Sequence, residues 1–146
     1  MRRHPSCLLI PTYLPVAAGL LFFLIGGGSQ AALFERNADN LQQEAAAAHA
    51  EGKQLAVVLT LPDCPGCLEM EKTVYRDRRT EKLIEGRFRT VRLDLSRPAP
   101  IIDTLGRATP VADFAKRLRA VATPSLVFFA GDGSFSYRYT GTLDQA

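Results

Sequence analysis

Cys64-Pro65-Gly66-Cys67 follows directly on the apolar run Leu55-Ala56-Val57-Val58-Leu59, and no other feature of the 146-residue chain restricts its fold so strongly. A β-branched apolar run bounded by turn residues reads as a buried strand, and the two cysteines stand where a helix should follow. A helix N-terminus presents unpaired backbone N–H groups and the positive end of the dipole, which favour a thiolate over a thiol. Two cysteines one helical turn apart can close and reopen a short disulfide. The arrangement is what thiol–disulfide exchange requires.

The N-terminus places this chemistry. Met1-Arg2-Arg3-His4 is a basic start, and the stretch from Pro5 to Gln30 is uncharged. Its most apolar part, Val16 to Ile25, has the length of a signal-peptide core, and Ser29-Gln30-Ala31 offers small residues at a cleavage site. Residues 1–31 are therefore read as a signal peptide cleaved after Ala31, with an uncleaved membrane anchor as the rival. Pro11, Pro15 and Gly26-Gly27-Gly28 weaken the anchor's helix. Either way residues 32–146 form one domain outside the cytoplasm, and cleavage removes Cys7. An isolated Cys64–Cys67 pair closes too short a loop to staple a fold, so it reads as reactive.

Composition excludes little else. The chain is 47% hydrophobic and 23% charged, as a packed globular domain is. Its net charge is +3, and without Arg2 and Arg3 the remaining 16 basic residues face 15 acidic ones, so no nucleic-acid surface is expected. A metal site needs more ligands than two thiols, and only His4 and His49 exist. No cofactor and no resident metal are expected, although copper transfer on two thiolates stays open.

Periodicity predicts a helix from Phe34 to Gly52 capped by Asn37 or Asp39, and a strand from Gln54 to Thr60. A helix should run from Pro65 to about Tyr75, and a short one from Thr80 to Glu85. Phe88 to Leu95 alternates as a strand does. The segment up to Gly106 is ambiguous. Thr109-Pro110 should start a helix that buries Val111, Phe114, Ala115 and Leu118. Leu126 to Phe129 reads as a second buried strand, and Gly131-Asp132-Gly133 turns the chain into a strand carrying Phe135, Tyr137 and Tyr139. Met70 reads as core, and His49 and the run Arg76 to Arg79 as solvated. The order specifies an α/β fold with a central mixed sheet flanked by helices.

A Cys-x-x-Cys at a strand–helix junction, with Ala122-Thr123-Pro124 just before a later strand, resembles the thioredoxin superfamily from about Leu33 to Gln145. Asp63 to Glu71 is similar to its exported branch, including the periplasmic thioredoxin-like proteins of sulfur-oxidation operons. The resemblance implies that Cys64 attacks, that Cys67 resolves, and that Thr123 and Pro124 form a substrate platform with a cis bond between them. It implies a periplasmic thiol–disulfide oxidoreductase that reduces protein disulfides and draws electrons from a membrane or soluble dithiol donor. A monomer is expected, and, from the charge balance, no nucleic-acid partner. A copper-delivery or binding protein on the same scaffold is the alternative.

Two departures stand out. Thioredoxins carry a buried acid six residues before the first cysteine, where this chain has Val58, so Glu69, Glu71 or water must serve Cys67. Asp63, where thioredoxins have tryptophan, should raise the Cys64 pKa against the helix dipole. Family members also end in a helix over one sheet face, and Gly141 to Ala146 offers at most its first turn. Either the domain is truncated at its C-terminus or something else covers that face.

Overall fold

A computed structural model describes residues 33–143. The leader reading, on residues 1–31, lies outside that range, and the expectation about a last helix, on Gly141 to Ala146, falls outside it from residue 144 onward.

The sheet is built from four strands in the order β2-β1-β5-β6, where β1 is Gln54–Thr60, β2 Phe88–Asp94, β5 Ser125–Phe129 and β6 Phe135–Thr140. β1 runs parallel to β2 and antiparallel to β5, and β6 returns antiparallel to β5, so the sheet is mixed. β1 is central and apolar on both faces, with Leu55 to Leu59 all buried. Alternate residues then divide the core. Leu55, Val57, Leu59, Val127 and Phe129 meet helices α1 (Leu41–Ala50) and α4 (Val111–Arg117). Ala56, Val58 and Leu126 meet Met70 of α2 (Pro65–Thr73), together with Val74, Tyr75, Leu33 and Phe34.

Three local expectations need correction. The first helix begins at Leu41, not Phe34, because the preceding segment is claimed by tertiary pairing. Asn37 bridges Arg92, and the Ala38 amide donates to the Arg92 carbonyl along the outer edge of β2. The cap is Asn40, whose side chain accepts from the Gln43 amide at 2.9 Å, and not Asn37 or Asp39. The fourth predicted element is longer than expected. Helix α3 runs Arg78–Arg87 through Gly86, with Asp77 accepting from the Thr80 amide at 2.8 Å. Finally, the ambiguous segment contains a small hairpin, β3 (Ile101–Ile102) with β4 (Ala108–Thr109). Two-residue strands are too short to show a period.

Candidate active site

The site lies where β1 ends and α2 begins. Asp63 adopts a left-handed backbone, with φ at 56°, and turns the chain into Cys64. Cys64 is the N-cap of α2 and Pro65 occupies its first turn, where the missing N–H costs nothing. The Cys64 sulfur accepts the Cys67 amide at 3.1 Å. Cys64 and Cys67 are joined as a disulfide with their Cα atoms 5.2 Å apart. Cys64 is buried and Cys67 half-buried.

The cap position decides what opening the pair would produce. A thiolate at Cys64 would keep the amide donor it already has and gain the helix dipole, both of which favour the charged form. Asp63 opposes this only across solvent, because its side chain is exposed.

The second motif comes from the other end of the chain and reaches the same place. The Thr123–Pro124 peptide is cis. Pro124 is buried against α2 so closely that a Cβ on Gly66 would lie 3.0 Å from its Cδ. A side chain at position 66 would therefore press on Pro124 and on the Thr142 methyl, 3.3 Å away, while the backbone of Gly66 itself makes no demand for glycine. The loop is pinned from behind. The Gly141 amide donates to the Pro124 carbonyl at 2.9 Å, and the Ser125 hydroxyl donates to the Ala122 carbonyl at 2.7 Å. Among the described residues no hydrogen bond occupies the Thr123 backbone. The two motifs singled out in the sequence thus converge, Cys64 and Cys67 as a bonded pair and Pro124, with Thr123 before it, packed against Gly66 between them.

Beneath the pair, Val58 is 2% exposed and sits level with Arg92 on β2. No acid comes from the strand, but Glu71 lies one turn after Cys67 on α2, and its carboxylate stands 3.6 Å from the Arg92 guanidinium. The Tyr75 hydroxyl and the Arg92 Nε are buried without a hydrogen-bond partner among the described residues. Burial pushes the Tyr75 phenol well above its ordinary pKa, with the Arg92 charge pulling the other way. Sequence reasoning passed over Tyr75 and Arg92. Only the alignment of β2 beside β1 brings Arg92 under α2, and no local pattern encodes that.

After β6 the chain folds back on α2. The Tyr139 hydroxyl donates to the Thr142 carbonyl at 2.9 Å, and the Leu143 amide donates to the Met70 sulfur at 3.0 Å. Met70 is core, as its spacing implies. His49 is exposed and rests over Gly131, where a Cβ would meet its ring. The described residues contain no cluster of three or more histidine, cysteine or acidic side chains fit to hold a metal. No described helix is long and apolar enough to cross a membrane.

Comparison with known proteins agrees with this geometry. The family model described as a thioredoxin-like domain matches residues 41–146. Among curated sequences nothing matches. Solved structures do. A protein described as a candidate disulphide isomerase from Bacteroides thetaiotaomicron superimposes with a TM-score of 0.62 at 21% identity, covering 80% of this chain and 88% of that one. A thioredoxin from Thermus thermophilus gives 0.54 at 24% identity, with 73% and 75% covered. The oxidised C-terminal domain of Neisseria meningitidis DsbD gives 0.52 at 20% identity, with 70% and 82% covered. At these identities the structures speak for the shared fold.

Proposed function

The chain belongs to the thioredoxin-like domain family and, with its Cys64–Cys67 pair, is a thiol–disulfide oxidoreductase; from that premise we propose that it reduces protein disulfides outside the cytoplasm. In the proposed cycle the Cys64 thiolate attacks one sulfur of a substrate disulfide. A mixed disulfide forms at Cys64 and the other substrate sulfur leaves as a thiolate. The Cys67 thiolate then attacks the Cys64 sulfur, closes the pair and expels the second substrate thiolate. Two electrons pass to the substrate, whose thiolates take protons from water. The closed pair described above is the end of that half-cycle, and a second dithiol protein must reopen it.

The observation that carries the assignment of Cys64 as nucleophile is its place at the α2 N-cap, with its sulfur accepting the Cys67 amide. Thr123 supports the substrate reading, because its backbone groups, unpaired among the described residues, can bond an extended substrate segment alongside the cysteines. Export rests on the basic and apolar leader, and the mature protein should begin at Ala32. The reducing direction rests on the likeness to the exported thioredoxin branch.

Equilibration with a glutathione buffer tests the direction. A potential below about −150 mV fits a reductase, and one well above it overturns that direction. Reduction of insulin disulfides is expected. Stoichiometric Cu(I) binding without insulin reduction would instead make the two thiolates a metal-delivery site.

A further inference from the structure

At the far end of β5 from Pro124, on the α4 face of the sheet, a cleft of about 780 Å³ opens between α4, the β3–β4 turn and the edge strand β6. Strand rise puts it roughly 13 Å from the cysteine end of β5. Its floor is apolar. Phe114 and Phe129, each 1% exposed, stack with centroids 6.2 Å apart, and Leu118 and the half-exposed Phe135 extend that surface.

Its rim is cationic and held in place. Asp103, fully buried, accepts the Arg107 Nε at 3.2 Å and an Arg117 terminal nitrogen at 2.7 Å, and Thr109 and two backbone amides fill its remaining sites. Arg117 also lies over the Phe114 ring, 5.6 Å from its centroid. Arg138 bonds the Leu118 and Arg119 carbonyls at 2.9 and 2.7 Å, which the left-handed backbone of Arg119 (φ 54°) brings together. Four arginines (107, 117, 119 and 138) thus line the cleft, of which 107 and 117 share the one buried carboxylate, and Arg119 and Arg138 have no acidic partner among the described residues. A guanidinium already fixed by a carboxylate loses little freedom when its outer N–H groups take a second anion. Gly133 keeps the cleft's back wall tight, since a Cβ there would meet the Thr104 carbonyl oxygen at 2.5 Å.

From this combination we infer that the cleft binds a small amphipathic anion, a carboxylate on an apolar body, at a site separate from the cysteines. Its volume is that of a small-molecule site, and apolar walls with a few convergent charges are the usual composition of one. Strand addition by a peptide is the poorer fit. β6 pairs Tyr137 with Phe128 and Phe135 with Phe129, which leaves Ser136 bulged at the cleft, and a bulge spoils an edge as a template.

The probe is decanoate, titrated calorimetrically into the full chain, with acetate and uncharged decanol as controls. One decanoate per chain should bind saturably, both controls should bind much more weakly, and raised salt should weaken decanoate. Arg117→Gln should weaken it roughly tenfold or more, as loss of a charged hydrogen bond does. Because that change also touches buried Asp103, exposed Ser136→Glu is the second variant. It should weaken decanoate to a similar degree while leaving fold and disulfide exchange intact. Cys64→Ser should bind decanoate as the unaltered chain does. Equal decanoate affinity in Ser136→Glu, equal binding of decanol, or no saturable binding overturns the inference, as does binding of an acidic peptide alone.

Discussion

On one face of the sheet, α1 and α4 close over Leu55, Val57, Leu59, Val127 and Phe129 with aliphatic and aromatic side chains, and the buried polar group at its margin, Asp103, has every site filled. On the other face, α2 covers a smaller set, Ala56, Val58 and Leu126, and two buried polar atoms there, the Tyr75 hydroxyl and Arg92 Nε, have no hydrogen-bond partner among the described residues. The cysteines belong to this second face. The larger cluster fixes the fold on the first face, where the buried Arg97 Nε beside Asp39 is likewise without a hydrogen-bond partner among the described residues. The second combines buried, unpaired polar atoms with a helix whose first turn must open and close a bond. The difference suggests that stability and chemistry are drawn from opposite sides of one sheet, and it can be attacked from either side.

The largest effect should come from the aliphatic face. Leu41→Ala removes a fully buried side chain under α1 and should cost about 2–5 kcal/mol in denaturant unfolding. The exchange rate per folded molecule should not change, and a matching loss of exchange would merge the two faces. Asp103→Asn comes next, at about 1–3 kcal/mol at neutral pH, because charge-assisted bonds are lost. Burial alone would raise the Asp103 pKa, but the Arg107 and Leu105 amides and the Arg117 guanidinium hold it below the usual carboxylate range. A depressed folded value gives stability that is complete above about 4 and lost as pH falls through the folded pKa. The variant should lack that part of the acid limb.

Changes on the α2 face should touch rate more than stability. Gly66→Ala forces Pro124 to give way, and mixed-disulfide formation should slow several-fold, on the order of 1 kcal/mol in the barrier, with a small shift in thermal midpoint. Unaltered exchange would mean that Pro124 plays no part in positioning substrate. Tyr75→Phe should have the smallest effect at neutral pH. The raised Tyr75 pKa gives stability that is full below about 10 and lost as pH rises toward the folded value, so the variant should be flatter above pH 10 in alkaline unfolding.

What the sequence made legible follows the same division. β1, β5 and β6 carry long, unbroken patterns, and the cysteine and Thr123-Pro124 motifs mark the site without any structure. The segment before Leu41 has helical composition, yet its backbone pairs with Arg92 of β2 and Ile102 of β3, a tertiary demand that local propensity does not register. Gly86 read as a stop but lies inside α3, where one exposed glycine costs only about 1 kcal/mol. Arg92, Tyr75 and the Gly66–Pro124 approach stayed hidden because each depends on which strands lie side by side.

The central claim is that Cys64, at the helix cap, is the attacking thiol and Cys67 the resolving one. Mass spectrometry of the two single variants, each mixed with a small aromatic disulfide, tests it directly. Cys67→Ser should accumulate one mixed disulfide per chain, mapped to Cys64, and Cys64→Ser should accumulate none at the same rate. Faster trapping at Cys67 in the Cys64→Ser variant, or no trapping in either, would contradict the account.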